Sequence, residues 1–335
     1  MKKLALRALR SCGAFALARN MSAQLPRILM YHNFSDASEA AGGSVGLSAA
    51  RTQLDYLRRH FHVVPLSVLA QQLQAGVIDQ WAVALTVDDG RRNFYEVFFP
   101  LLKEFRLPTT FFVVSSFIRR EDWIWTDKVQ WLAEQLHAPG ELQPQKIGTF
   151  FEMLNRLPPE IRNAHINRIA TSMNLEVPRE PPPKYAPCTW SELKEMAASG
   201  LVEIGSHTVS HSILSTLTDE ESWRELTISR DEIENGLGTK VECFCFPNGK
   251  PSDYRPSHLR QLDDAGYKSA VVASCGLVSQ QSAVFELPRI GISGETDMLW
   301  FSKYVDGAEY FQTKIVTSLA AAPRVSRSFH GGVAH

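Results

Sequence analysis

This chain is poor in the features that would assign it to a specialised class. Its five cysteines, Cys12, Cys188, Cys243, Cys245 and Cys275, are odd in number and scattered over 335 residues, which excludes a disulfide framework. Cys243 and Cys245 fall on one face of a short strand and read as two small buried thiols. No apolar run is long enough to cross a bilayer: the stretch from Cys12 to Ala18 is short, interrupted by Gly13 and ended by Arg19. No charge dominates either, and a formal net charge of −1 provides no field for nucleic acid or an acidic polymer. What remains is 44% hydrophobic residues, enough over this length for a full core.

One absence is local. Residues 1–35 contain no Asp or Glu but carry Lys2, Lys3, Arg7, Arg10, Arg19 and Arg27. Lys3, Arg7 and Arg10 fall on one helical face, with Leu6, Leu9, Ala16 and Leu17 largely on another. Residues 1–25 therefore read as a basic amphipathic segment suited to peripheral membrane contact. With no convincing secretory core, the expected location is cytoplasmic or at the inner face of a membrane, with export as the alternative.

The strongest chemical signal is Val83-Ala84-Leu85-Thr86-Val87-Asp88-Asp89-Gly90. An aliphatic run of this kind is a buried parallel strand, and it ends in two adjacent carboxylates. Like charges side by side are costly to desolvate, so a basic side chain or a metal ion is expected beside them. The bland alternative is a solvated turn in which one Asp caps the helix opening near Arg91. A second element, Gly205-Ser206-His207-Thr208-Val209-Ser210-His211, follows the short strand Leu201 to Ile204. Histidines four apart share a face if the segment turns helically, and with one carboxylate they make a two-His, one-Asp metal site with open positions.

These two stretches resemble the first two motifs of the polysaccharide deacetylases (carbohydrate esterase family four, the NodB homology domain). Phe244-Cys245-Phe246-Pro247-Asn248-Gly249 and Leu287-Pro288-Arg289-Ile290 resemble the branch whose third motif reads Phe-x-Tyr/Phe-Pro-Asn-Gly, and the likeness runs from about Arg27 to Gly291. The resemblance implies an irregular (β/α) barrel of seven to eight parallel strands. That agrees with the alternation of strands and helices in residues 26–300. A helical insertion over about 119–187 interrupts it, and a helix and loose tail, 301–335, follow it.

The resemblance also implies roles. Asp89, His207 and His211 would hold a divalent metal, Zn²⁺ first and Co²⁺, Ni²⁺ or Mn²⁺ next, while Asp88 acts as general base. His32, after the strand Ile28 to Tyr31, is either an active-site contact or a strand-end histidine. Pro247, Asn248 and Gly249 form a turn that lets backbone approach substrate, with a nearby N–H as oxyanion donor. Trp123, Trp125 and Asp127, opening the insertion, either form a sugar-stacking wall over the metal or anchor the insertion. Two positions depart from the better-known members: Cys245 stands where an Arg holds the base, and Arg289 stands where a His serves as general acid. Arg289 is accordingly expected to pair with Asp88, leaving the leaving amine to be protonated by Asp88, His32 or water. The implied reaction is N-deacetylation of an N-acetylated glycan, with an O-acetyl esterase, another amide hydrolase or a carbohydrate-binding pseudoenzyme as alternatives.

Overall fold

The computed structural model of the protein describes residues 2–36, 43–135 and 144–313. The middle of the Ser/Ala/Gly-rich loop, 37–42, and the expected tail from 314 onward lie outside the described residues.

Eight strands form one sheet in which every pairing is parallel: β1 (Arg27–Tyr31), β2 (His62–Val63), β3 (Ala82–Val87), β4 (Thr109–Val113), β5 (Val202–Ser206), β6 (Cys243–Cys245), β7 (Ser269–Val271) and β8 (Ile290–Gly291). The spatial order is β8-β1-β3-β4-β5-β6-β7, with β2 also on β3. The two edges meet at a single parallel bridge, Val271 to Leu287, just ahead of β8, so the sheet curls into the expected deformed barrel. β3 is buried at every position, which accounts for its largely aliphatic sequence, and its one polar side chain, Thr86, donates to the Leu29 carbonyl at 2.8 Å. Helices cover the outside. Helix Trp190–Ala198 opens with a reciprocal cap in which the Thr189 hydroxyl accepts from the Glu192 N–H and Glu192 accepts from the Thr189 N–H. Helix Asp219–Leu237 ends at Gly238 in the left-handed conformation.

Register sets the site. Tyr31 pairs with Val87, and Val113 with Ser206, so the residues that follow, His32, Asp88 and His207, leave the barrel on one face. The last strand is short, Ile290–Gly291, and this sets where Arg289 stands. It precedes β8 rather than closing a strand, and its buried side chain runs into the barrel.

The insertion is helical, as expected: Trp125–Gln135, Pro144–Leu154 and Pro159–Ser172. Trp125, Val129, Leu132, Leu154, Ile166 and Ala170 give it a small core of its own. The basic amino-terminal stretch forms two helices, Lys2–Ser11 and Ala14–Met21, held to helix Met298–Val305 by contact of Leu6 and Phe15 with Leu299. Leu6 is thus turned inward while Leu9 and Leu17 stay exposed. Among the described residues no helix is long and apolar enough to cross a membrane.

Candidate active site

Asp88 and Asp89 follow β3 into the barrel mouth, 2% and 5% exposed. Each carboxylate has its own buried guanidinium, which meets the requirement that two adjacent buried charges impose. Arg289 makes a two-bond fork to Asp88, Nη1 to Oδ1 and Nη2 to Oδ2, both at 2.8 Å. The same guanidinium donates to Thr86 Oγ1 at 3.1 Å, the Val272 carbonyl at 3.2 Å and Cys245 Sγ at 3.2 Å. The Cys245 thiol donates in turn to Asp88 Oδ2 at 3.4 Å. The expected pairing of Arg289 with Asp88 is therefore present, and Cys245 is small enough to admit it. Burial alone would raise the Asp88 carboxyl, but Arg289 first and then His32 hold it below the usual carboxylate range.

Asp89 divides its two oxygens. Oδ2 lies 2.7 Å from Arg91 Nη1, while Oδ1 faces His207 Nε2 at 3.7 Å and His211 Nε2 at 3.5 Å. The latter distances are long for hydrogen bonds. They match the edge expected between ligand atoms that each sit about 2 Å from one ion. The tautomers agree with this. His207 Nδ1 lies 2.7 Å from the Cys245 carbonyl, which can only accept, so the proton is on Nδ1 and the Nε2 lone pair is free. Burial keeps both rings neutral and pushes His211 down to about 3. The donor set therefore fits a divalent cation held by Asp89, His207 and His211.

The local backbone was not foreseen. Residues 207–211 form no helical turn; the rings converge because Thr208 and His211 adopt positive φ, 69° and 56°. Asp89 and Asn248 do the same at 85° and 59°. Non-glycine residues in this region cost about 1–3 kcal/mol each, and such strain gathers at functional sites. Glu225, from helix Asp219–Leu237, pins the loop between the histidines by accepting from the Val209 and Ser210 N–H groups at 2.8 and 3.0 Å.

Above the carboxylates lies a cavity of about 570 Å³, lined among others by His32, Trp125, Asn155, His207, Asn248 and Arg289. His32 stands 3.7 Å from Asp88 Oδ2 with its side chain 44% exposed, so it faces both that carboxylate and the cleft. Trp125 lines the cleft while its indole N–H donates to the His211 carbonyl at 3.3 Å, and Arg162 stacks 4.6 Å over its ring. Trp123 is buried away from the cleft, the anchor of its two readings.

Three expected substrate contacts are corrected. Asp127 is 4% exposed and gives both oxygens to Arg91, at 3.0 and 2.5 Å, rather than to the cleft. Pro247 and Gly249 are buried beneath the cleft rather than lining it, and the Gly249 N–H bonds the Pro247 carbonyl at 2.7 Å. Gly249 still has a reason to be glycine: its φ is +65° and a Cβ would stand 2.8 Å from the Ala273 nitrogen. Arg91, Glu152, Asn155 and Lys250 belong to the cleft without having been singled out.

The buried neutral histidines carry a pH signature. Unfolded, His211 titrates near 6.5, and folded it titrates at about 3, so the unfolded chain binds more protons between those values. The metal-free protein should lose stability as pH falls from about 6.5 toward 3, with His211 alone contributing about 2 kcal/mol of that loss at pH 5. Urea titrations at pH 7 and pH 5 on wild type and His211→Ala check this. The pH dependence should be shallower in the variant.

Comparison with known proteins bears on the family and the fold. The family model described as polysaccharide deacetylase matches residues 77–270. The poly-beta-1,6-N-acetyl-D-glucosamine N-deacetylase of Escherichia coli (strain K12) is 24% identical over 307 residues, covering 83% of this chain and 38% of that protein. The chain thus spans about two fifths of the length of the curated relatives it matches. Among solved structures, Streptococcus pyogenes deacetylase PplD in complex with acetate has a TM-score of 0.59 at 19% identity, over 84% of this chain and 98% of that one. IcaB from Ammonifex degensii has a TM-score of 0.58 at 18% identity, over 84% and 97%. At these identities the structures speak for the fold, and the family model, spanning more than half of the sequence, speaks for descent. The chain belongs to the polysaccharide deacetylase family.

Proposed function

We propose that this protein is a metal-dependent hydrolase that removes N-acetyl groups from the amino sugars of a polysaccharide, an oligosaccharide or a lipid-linked glycan. The observation that carries the reading is the division of labour between neighbours. Asp89 turns one oxygen toward two neutral histidines, while Asp88 is held ionised by Arg289 and has no share in that triad. Asp89, His207 and His211 would hold a divalent ion, which would supply Lewis-acid chemistry toward the acetyl carbonyl and a more acidic water. Asp88 takes the proton from the attacking water, and Arg289 keeps that carboxylate charged and oriented. The proton then passes to the leaving amine from Asp88 or from His32, which stands beside it at the cleft rim. The backbone N–H of Asn248 is the candidate donor to the developing oxyanion, since that of Gly249 is engaged.

The substrate class is supported by the relative that is named for acting on poly-beta-1,6-N-acetyl-D-glucosamine. It is also supported by shape. A second cavity of about 560 Å³ continues from the first and shares Glu152, Asn155, Asn248 and Lys250 with it, leaving room for sugars on either side of the one that reacts. An O-acetyl ester would use the same ion, water and base, so substrate has to be tested directly. The test is acetate release by metal-loaded protein from N-acetylated and O-acetylated oligosaccharides of increasing length. We expect release from the N-acetyl series, with kcat/KM rising from one sugar to four. Release from the O-acetyl series alone would replace the amidase reading with an esterase, and a flat length series would remove the extended cleft from the substrate site.

A further inference from the structure

The helical insertion reaches the metal centre through a buried chain of charges. Arg91 donates from Nε and Nη2 to both oxygens of Asp127 and, from Nη1, reaches Asp89 Oδ2 at 2.7 Å. All three side chains are no more than 7% exposed. Asp127 belongs to the first turn of the first insertion helix. The far end of the insertion clasps the same segment: Arg91 bridges Pro187, the Arg92 N–H donates to the Ala186 carbonyl at 2.8 Å, and the Cys188 N–H donates to the Gly90 carbonyl at 3.0 Å. Both ends of the insertion thus hold the two or three residues that follow Asp89.

We infer that Arg91 and Asp127 are positioning residues of the metal centre, with the insertion acting as the clamp that sets how Asp89 ligates. The inference rests on Asp89, His207 and His211 being the ligand set. With Oδ2 engaged by Arg91, only Oδ1 is available, which makes Asp89 a one-oxygen ligand pointing between the two histidines. An unscreened guanidinium this near a divalent cation would oppose binding. Asp127 offsets that charge, and because its fork is made through Nε and Nη2 it also fixes the plane in which Nη1 meets Asp89. The arrangement has the logic of an outer partner orienting a ligand, with the partner's counter-charge carried by another structural unit.

The rival account is that Asp127 and Arg91 merely staple the insertion to the barrel. A staple affects folding but not affinity for metal in the folded protein. The experiment is therefore competition with a chelator for Zn²⁺, read as an apparent Kd, on wild type, Asp127→Asn and the paired variant Arg91→Met with Asp127→Leu. The pair removes both charges at similar volume, so Asp127 is not left as an uncompensated buried ion; Asp89 does lose its guanidinium, and the cost of that loss to the metal-free fold is read from the melting measurement. Melting of the metal-free forms is measured alongside. Asp127→Asn leaves Arg91 hydrogen bonded but un-neutralised and should weaken Zn²⁺ binding about tenfold or more. The pair, which loses orientation at constant local charge, should also weaken it, within the 10- to 100-fold range of lost outer partners. Stoichiometric, unchanged Kd in both variants, within threefold of wild type, would overturn the inference and leave a staple. Wild type that binds no Zn²⁺ would instead overturn the ligand set on which it rests.

Discussion

Asp88→Asn is expected to lower the turnover of acetate release by about 10³-fold while leaving the metal content of the protein unchanged. General-base contributions run from about 10² to 10⁴, and a value near the middle of that range is expected because, among the described residues, the other carboxylates lining the cleft are the ligand Asp89 and Glu152 of the insertion. Asp89 cannot substitute, since one of its oxygens faces the histidines and the other is bonded to Arg91. Glu152 lies in the cleft wall on an insertion helix. The substitution also leaves Arg289 without its counter-ion in a buried position, so a fall in melting temperature should accompany the loss of turnover. Turnover and metal content must therefore be measured on the same folded sample. Retained turnover at full metal content would remove Asp88 from the base role.

The second large effect belongs to Arg289. Arg289→Ala leaves Asp88 as an unpaired buried charge and should cost about 3–5 kcal/mol of stability. It should also cost most of kcat, because the base loses the fork that orients it. Arg289→Lys should recover stability in part but little of kcat, since an ammonium is a point charge and cannot replace two parallel bonds to Asp88 together with those to Thr86 and the Val272 carbonyl. Guanidinium ion added at millimolar concentration to Arg289→Ala should restore part of the activity, which a purely structural role would not allow. Full activity of Arg289→Lys would show that charge alone, and not the fork, is what Asp88 requires.

Much of this site can be read from the chain because its chemistry depends on residues that make poor structural sense otherwise. Two adjacent carboxylates at the end of a fully buried, largely apolar strand demand cations, and the structure supplies Arg289 for Asp88 and Arg91 for Asp89. The parallel alternation of strands and helices, the Thr189 cap and the Gly238 stop follow from local propensities with short-range causes. What was not legible depends on long-range approach. Arg289 lies 201 positions from Asp88 in sequence; the pairing follows only from the motif positions, and nothing local announces the further bonds to Thr86 and the Val272 carbonyl that it makes from just before β8. Asp127 looked like a substrate contact because it opens the insertion beside two tryptophans, but nothing in its neighbourhood announces that Arg91 will claim both of its oxygens. The convergence of His207 and His211 was expected from a helical turn. It is achieved instead by left-handed residues in a loop that Glu225 pins from a later helix.

On the proposed mechanism, hydrolysis depends on an ion held by Asp89, His207 and His211. The most direct measurement is acetate release from a β-linked N-acetylglucosamine tetramer by the purified protein as isolated, after exhaustive chelation, and after stoichiometric Zn²⁺ is returned, with His207→Ala carried through the same steps. Release should disappear on chelation and return with one equivalent of metal in wild type, and His207→Ala should neither retain the metal nor release acetate. Release that survives complete removal of metal, or that His207→Ala sustains, would contradict the mechanism.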